Sequence, residues 1–247
     1  MDATFQPLGE HAVVVQFGTS MNLESYEKVQ RTAALLDESP LPAMVEYIPA
    51  FATITIFYNP VELFEWHKRR HAATEREQPA VSLYGLYCDL ISDLLRQTEH
   101  TREAAGRIVE VPVCYGGAFG PDLGEVARLN QMGEQDVIEI HASGDYLVYM
   151  IGFAPGFPYI GGMSERIAAP RRKSPRLSIP AGSVGIAGKQ TGIYPLETPG
   201  GWQIIGRTPL RLFRPEDNPP TLLRAGDRIR FSPISTEEYT AYQEGSR

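Results

Sequence analysis

The segment from His141 to Gly206 constrains this chain more than any other. Gly and Pro recur through it among aromatic and β-branched residues, as in Gly152-Phe-Ala-Pro-Gly-Phe-Pro-Tyr159, Ile179-Pro-Ala-Gly-Ser-Val-Gly-Ile-Ala-Gly-Lys189 and Thr198-Pro-Gly-Gly-Trp202. Turn formers bounding short apolar runs predict many short strands. The segment therefore reads as a compact β-rich body. A His, a Lys-Gln-Thr tripeptide, several Arg and several Tyr lie inside it, side chains suited to a small polar ligand.

The 247 residues suffice for one large domain or two ordinary ones. The formal charge of −7 argues against a general nucleic-acid binder. No apolar run approaches the roughly 20 residues of a membrane helix, and Met1 to Pro7 lacks a basic, then apolar, leader. Cys88 and Cys114 stand far apart, outside any Cys-x-x-Cys pair, so two reduced thiols in a cytoplasmic protein are expected and no metal site is.

The first hundred residues differ in pattern. Ala12 to Phe17 reads as a strand; Leu23, Tyr26, Val29, Ala33 and Leu36 recur at helical spacing behind Asn22, a candidate N-cap. Val45 to Ile48 and Thr53 to Tyr58 read as strands joined by a tight connection. Pro60 opens a helix with Leu63, Phe64 and His67, and a second helix carries Val81, Leu83, Leu86, Tyr87, Leu90, Ile91 and Leu94. A strand at Ile108 to Val113 closes a β-α-β-β-α(α)-β order, which predicts a ferredoxin-like α+β domain over residues 1–105. Residues 106–247 form the second domain. There, Pro121 at position N1 starts a helix over Leu123 to Leu129. Glu134 to His141 reads as another, and strands with turns run from Ile179 to the end. The polar stretch from Arg69 to Gln78 reads as a loop, and His67, His71 and His100 as surface residues.

Gly182, Gly185 and Gly188 before Lys189 invite a phosphate-loop reading, which fails on spacing: five residues separate the outer glycines and Gln190 follows the lysine. Tight turns explain the glycines. Lys189, Gln190 and Thr191 remain as a cation, an amide and a hydroxyl able to orient a carboxylate or amide. His141, at a helix end, either caps that helix or serves proton transfer with an imidazolium favoured by the helix C-terminus. No Ser–His–Asp set is apparent. In the basic run Arg171-Arg172-Lys173 with Arg176, flanked by prolines, Arg176 is the residue expected to turn inward and grip an anion. Phe153, Phe157, Tyr159 and Tyr194 supply aromatic wall or core.

Together these stretches resemble one family, that of the 5-oxoprolinase B subunits, also called the KipI or allophanate hydrolase subunit 1 family. The residues that carry the resemblance are Val111 to Leu123, His141 with Tyr146 to Gly162, Pro170 to Arg172 with Ser174 to Arg176, Pro180 to Pro195 and Pro199 to Pro209, with weaker matches at Leu8 to Ala12 and Val29-Gln30. The resemblance implies a cyclophilin-like β-barrel behind a smaller α+β domain, and two partner proteins: the larger C subunit of the enzyme, and its hydrolase, the A subunit. It implies an ATP-dependent cleavage of 5-oxoproline to L-glutamate, with Mg2+ accompanying ATP and no bound organic cofactor. The B and C pair would phosphorylate the lactam. One member of the family instead inhibits a sensor histidine kinase, which is the alternative function. A prolyl isomerase is suggested by the barrel analogy alone. The expected site has Lys189, His141 and Gln190 in catalysis and Arg176, Thr191, Tyr194 and Arg207 on the substrate, converging on one pocket.

Overall fold

The computed structural model describes residues 3–19, 23–71, 82–96 and 107–245. Asn22, Val81, His100, residues 72–78 of the expected loop and the boundary at 102–106 lie outside them, as does the side chain of His71. The chain divides into two compact units, Met1–Ala104 and Ala105–Arg247.

The first unit is one antiparallel sheet with helices on it. Strands β1 (Thr4–Pro7), β2 (Ala12–Gln16), β3 (Met44–Pro49) and β4 (Thr53–Tyr58) lie in the order β1-β2-β4-β3. Helices α1 (Leu23–Glu38), α2 (Pro60–His71) and α3 (Leu83–Arg96) follow the expected periodicities. Alternation along β4 sends Ile54, Ile56 and Tyr58 inward, onto Val29 and Leu36 of α1 and Tyr87 and Ile91 of α3. Placing β4 between β2 and β3 makes the split βαβ arrangement. The fourth strand, however, is not the one expected. Ile108 to Val113 joins the other unit, and β1 takes the edge beside β2. Thr4–Pro7 was missed because four residues ending in Pro carry almost no strand signal. The ferredoxin-like closing strand is thereby corrected.

In the second unit seven strands close into a barrel. They are β5 (Ile108–Tyr115), β6 (Tyr146–Ile151), β7 (Pro158–Gly161), β9 (Ser183–Ala187), β10 (Gln190–Ile193), β12 (Gln203–Arg207) and β13 (Arg228–Pro233), with β8 (Arg176–Ile179) and β11 (Thr198–Gly200) forming a separate two-stranded sheet. The barrel order is β10-β7-β6-β13-β5-β12-β9, and only β5 with β13 runs parallel. Residues 111–114 of β5 are buried in succession, as befits a strand enclosed on both faces. Val113, Val148, Ile160, Val184, Ile186, Ile205 and Phe231 fill the core. Helix α4 (Leu123–Leu129) packs on β12 and α5 (Glu134–Ala142) on β13. The fold is thus mixed α and β with a closed barrel.

Two further expectations change. Pro121 precedes the helix cap instead of opening the helix; Asp122 is the N-cap residue, and its carboxylate caps no helix N–H. A final helix α6 (Thr236–Gly245) replaces the expected strands and turns. Its signal was present: Ser235 and Glu238 exchange backbone and side-chain bonds in a capping box, Ser235 N to Glu238 Oε2 at 2.7 Å and Glu238 N to Ser235 Oγ at 3.2 Å.

Candidate functional site

The expected site residues do not meet in one pocket. They separate into an open polar centre, a closed one and two surface positions.

The open centre is built on Asp122, a residue sequence reasoning passed over. The chain brings Asp122 against the start of β12, so that Ile204 N–H donates to its Oδ2 at 2.7 Å while Asp122 N–H donates to the Ile204 carbonyl. Arg176, at the head of β8, grips the carboxylate with both terminal nitrogens, at 2.7 and 2.8 Å, and Arg172 adds a third bond at 2.7 Å. Burial alone would raise the Asp122 pKa, but the bonds from Arg176 and Ile204, with the charges of Arg176 and Arg172, outweigh it and hold the group below the usual carboxylate range. The expectation that Arg176 turns inward is met, onto a carboxylate of the chain itself. Both arginine side chains stay accessible, Arg172 at 35% and Arg176 at 26%, against 5% for the aspartate.

An aromatic wall adjoins this centre. Phe157, Ile179, Tyr194 and Ile204 form a cluster separate from the barrel core, with Trp202 and Tyr159 against it. The Phe157 ring meets those of Tyr194 and Trp202 edge-on at 5.9 and 6.0 Å. Gly200 pairs in register with Arg176, and a Cβ there would lie 2.4 Å from the Tyr194 hydroxyl. Glycine is therefore required for β11 to lie against the ring. Burial raises the Tyr194 pKa against the pull of the Trp202 backbone and of Arg171 and Arg176, so the phenol stays protonated and able to donate. Phe153 is 75% exposed and contributes little enclosure.

The closed centre is His141. Its ring is fully buried beside Phe231 and Tyr146. The Tyr115 hydroxyl lies 2.8 Å from Nδ1 and the Thr191 hydroxyl 2.9 Å from Nε2. Thr191 donates onward to the Gly185 carbonyl at 3.1 Å. Thr191 therefore accepts from Nε2–H, and Nδ1 accepts from Tyr115, which assigns the tautomer. Burial pushes the imidazole pKa down to about 3. This corrects the expected imidazolium at a helix C-terminus: desolvation outweighs the helix dipole, and the ring is a neutral strut joining α5 to β5 and β10.

Lys189 and Arg207 serve the surface. Lys189 stands at the tip of the two-residue hairpin between β9 and β10, behind Gly188 with φ +60, and pairs with Glu165 at 2.7 Å, both side chains about 70% exposed (68 and 70%). Turn geometry gives the Gly-Lys pair its structural reason. Gly182 to Lys189 is a strand and hairpin, not a loop feeding a helix, so the phosphate-loop geometry is absent from it. Arg207 Nε ties the Ala181 carbonyl at 2.8 Å. Gln190 heads β10, half-buried, and Thr191 belongs to the closed centre. Among the described residues, no three His, Cys, Asp or Glu side chains are grouped to hold a metal ion. No helix among them is long and apolar enough to cross a membrane.

Comparison with known proteins agrees with this architecture. The family described as carboxyltransferase domain, subdomain C and D, matches residues 3–223. The chain is 52% identical to the B subunit of 5-oxoprolinase from Bacillus subtilis over 98% of its length and 97% of that protein's. It is 42% identical to the B subunit of 5-oxoprolinase from Escherichia coli, covering 92% of this chain and 94% of that one. Urea carboxylase of Kluyveromyces lactis superposes with a TM-score of 0.72 over 98% of this chain and 22% of its own length, at 18% identity, which speaks for the fold alone. On these matches the chain belongs to the family of 5-oxoprolinase B subunits, built from carboxyltransferase subdomains C and D.

Proposed function

We propose that this chain is the B subunit of an ATP-dependent 5-oxoprolinase, which with the A and C subunits cleaves 5-oxoproline to L-glutamate. The observation that carries this reading is the 52% identity that runs end to end along a relative of that name. The geometry supports a protein that is active only in complex. His141 is closed off and neutral, residues 182–189 form a strand and hairpin and no phosphate loop, and the open centre offers a pair of guanidinium groups beside an aromatic wall. Such a centre binds and orients an anion; it does not abstract protons. ATP, with Mg2+, is the co-substrate, and phosphoryl transfer to the lactam oxygen would make the amide carbon electrophilic. That reaction needs positioned cations more than a protein nucleophile.

Among the candidate residues, Arg176 and Tyr194 face the ligand in this reading, joined by Arg172. His141 and Thr191 frame the barrel behind them, while Lys189, Gln190 and Arg207 lie outside the seat. In this reading the barrel is cyclophilin-like and the protein works in the cytoplasm.

The test mixes purified chain with the A and C subunits, ATP, Mg2+ and 5-oxoproline and follows glutamate and ADP. Glutamate is expected from the full mixture and not from this chain alone. No glutamate from the full mixture, with inhibition of a sensor histidine kinase by the chain alone, would reverse the reading.

A further inference from the structure

Charge and hydrogen bonding at the open centre are incompletely matched. Two guanidinium groups share one carboxylate, so the centre keeps a positive charge. Its neighbours add to that excess. The charges of Arg171 and Arg176 both favour the ionised form of Tyr194, and Glu125 is held by Arg128 at 2.7 and 2.8 Å. Two buried atoms in the same cluster also lack partners: Arg172 Nε, a donor, and Gln203 Oε1, an acceptor. Gln203 is 5% exposed and belongs to the cluster through both neighbours, its Nε2 donating to the Pro170 carbonyl at 3.0 Å and the next residue's N–H reaching Asp122. Buried polar atoms without partners are uncommon, and each calls for a completing group, an ordered water or a ligand.

From this we infer that Arg172 and Arg176 seat the carboxylate of the substrate lactam, and that Asp122 is the positioning residue that fixes both guanidinium forks. The inference rests on the 5-oxoprolinase reading and narrows it to one contact. Only three N–H bonds of the two forks go to Asp122, and each guanidinium carries five, so a planar oxyanion can be received by those left. The buried carboxylate cannot move with the ligand, because Ile204 N–H ties it to β12. Two arginines fixed before binding lose little freedom when the anion arrives. The apolar side of the ring would then lie toward Tyr194 and Trp202.

The experiment compares 5-oxoproline with 2-pyrrolidinone, the same lactam without the carboxylate, as competitors of labelled 5-oxoproline on the complex of this chain with the C subunit. Inorganic phosphate is the third competitor, and turnover is measured in the full mixture. For wild type, 5-oxoproline should outcompete 2-pyrrolidinone by roughly tenfold to a hundredfold, the range of a lost charge-assisted contact. Arg172→Gln and Asp122→Asn should abolish that preference and raise KM for 5-oxoproline by a similar factor, with kcat changed by less than about threefold. Arg172→Lys should restore part of it, and Arg228→Gln, on a surface pair with Asp145, should match wild type.

The inference is overturned if the variants fold and keep the wild-type KM, if they lose phosphate competition only, or if the preference for the carboxylate persists in Arg172→Gln. Thermal unfolding checks each variant; should Asp122→Asn fail to fold, the half-exposed Arg172 carries the test. Absence of turnover in the wild-type mixture would refute the functional reading separately. In that case binding still decides the contact: equal competition by the two lactams overturns it and a carboxylate-dependent preference supports it.

Discussion

Two polar centres lie in the barrel-bearing unit and are built on opposite terms. Around His141 every polar atom has a partner inside the protein: Tyr115, Thr191 and Gly185 form one chain of bonds that ends on a backbone carbonyl. Around Asp122 the charge is paired but not balanced, and the two arginines reach solvent. The contrast separates two uses of buried polarity. A satisfied network fixes strands and helices in place; accessible cations in excess of their carboxylate can receive an anion.

The largest expected effect falls on the keystone of the open centre. Asp122→Ala leaves two guanidinium groups and a buried N–H without their acceptor, and should lower unfolding free energy by about 2–4 kcal/mol in chemical denaturation, less than for a fully buried pair because both arginines reach solvent. A loss below about 1 kcal/mol would mean that solvent replaces the carboxylate and that nothing is being positioned.

At the closed centre, His141→Leu should cost about 1–3 kcal/mol, because the Tyr115 hydroxyl loses its acceptor while Thr191 keeps its bond to the Gly185 carbonyl. The same ring predicts a pH dependence. Unfolded, the imidazole binds a proton below about 6.5; folded, it does not until about 3. The unfolded state therefore holds the extra proton throughout that window, and stability falls as pH drops through it, by at most about 1.4 kcal/mol per pH unit. His141→Leu should flatten that slope. An unchanged slope would show that the ring is hydrated in the native state. Asp122 acts lower, because its depressed pKa makes its contribution disappear only as pH falls below the ordinary carboxylate range.

The smallest effect sharpens the comparison from outside. Lys189→Ala should change stability by within about 0.5 kcal/mol and leave turnover of the assembled enzyme intact, since its ion pair with Glu165 is exposed on both sides. A hundredfold loss of kcat would return Lys189 to the site.

The sequence was legible where one element answers to its own residues. The 3.6-residue spacing of Leu23 to Leu36 and the alternation of Thr53 to Tyr58 each record a buried face, and both elements form where expected. The pattern of Ile108 to Val113 announced a strand but not its sheet, because pairing with Arg228 to Pro233 depends on residues more than a hundred positions away. Helix α6 was overlooked for want of apolar residues: Tyr239 is its buried hydrophobic anchor. Asp122 was illegible for a similar reason. Its partners lie 50, 54 and 82 residues along the chain, and nothing in the local sequence points to them. Lys189 misled in the opposite direction, since a cation after three turn-forming glycines has no evident structural reason until the hairpin supplies one.

One spectrum tests the division of labour directly. With 15N-labelled chain bound to the C subunit, 5-oxoproline should shift the side-chain resonances of Arg172 and Arg176 and leave the His141 ring nitrogens unmoved, with the ring neutral from pH 7.5 to 5. Ligand-induced shifts at His141, or its titration near pH 6.5 with both arginines silent, would contradict the account.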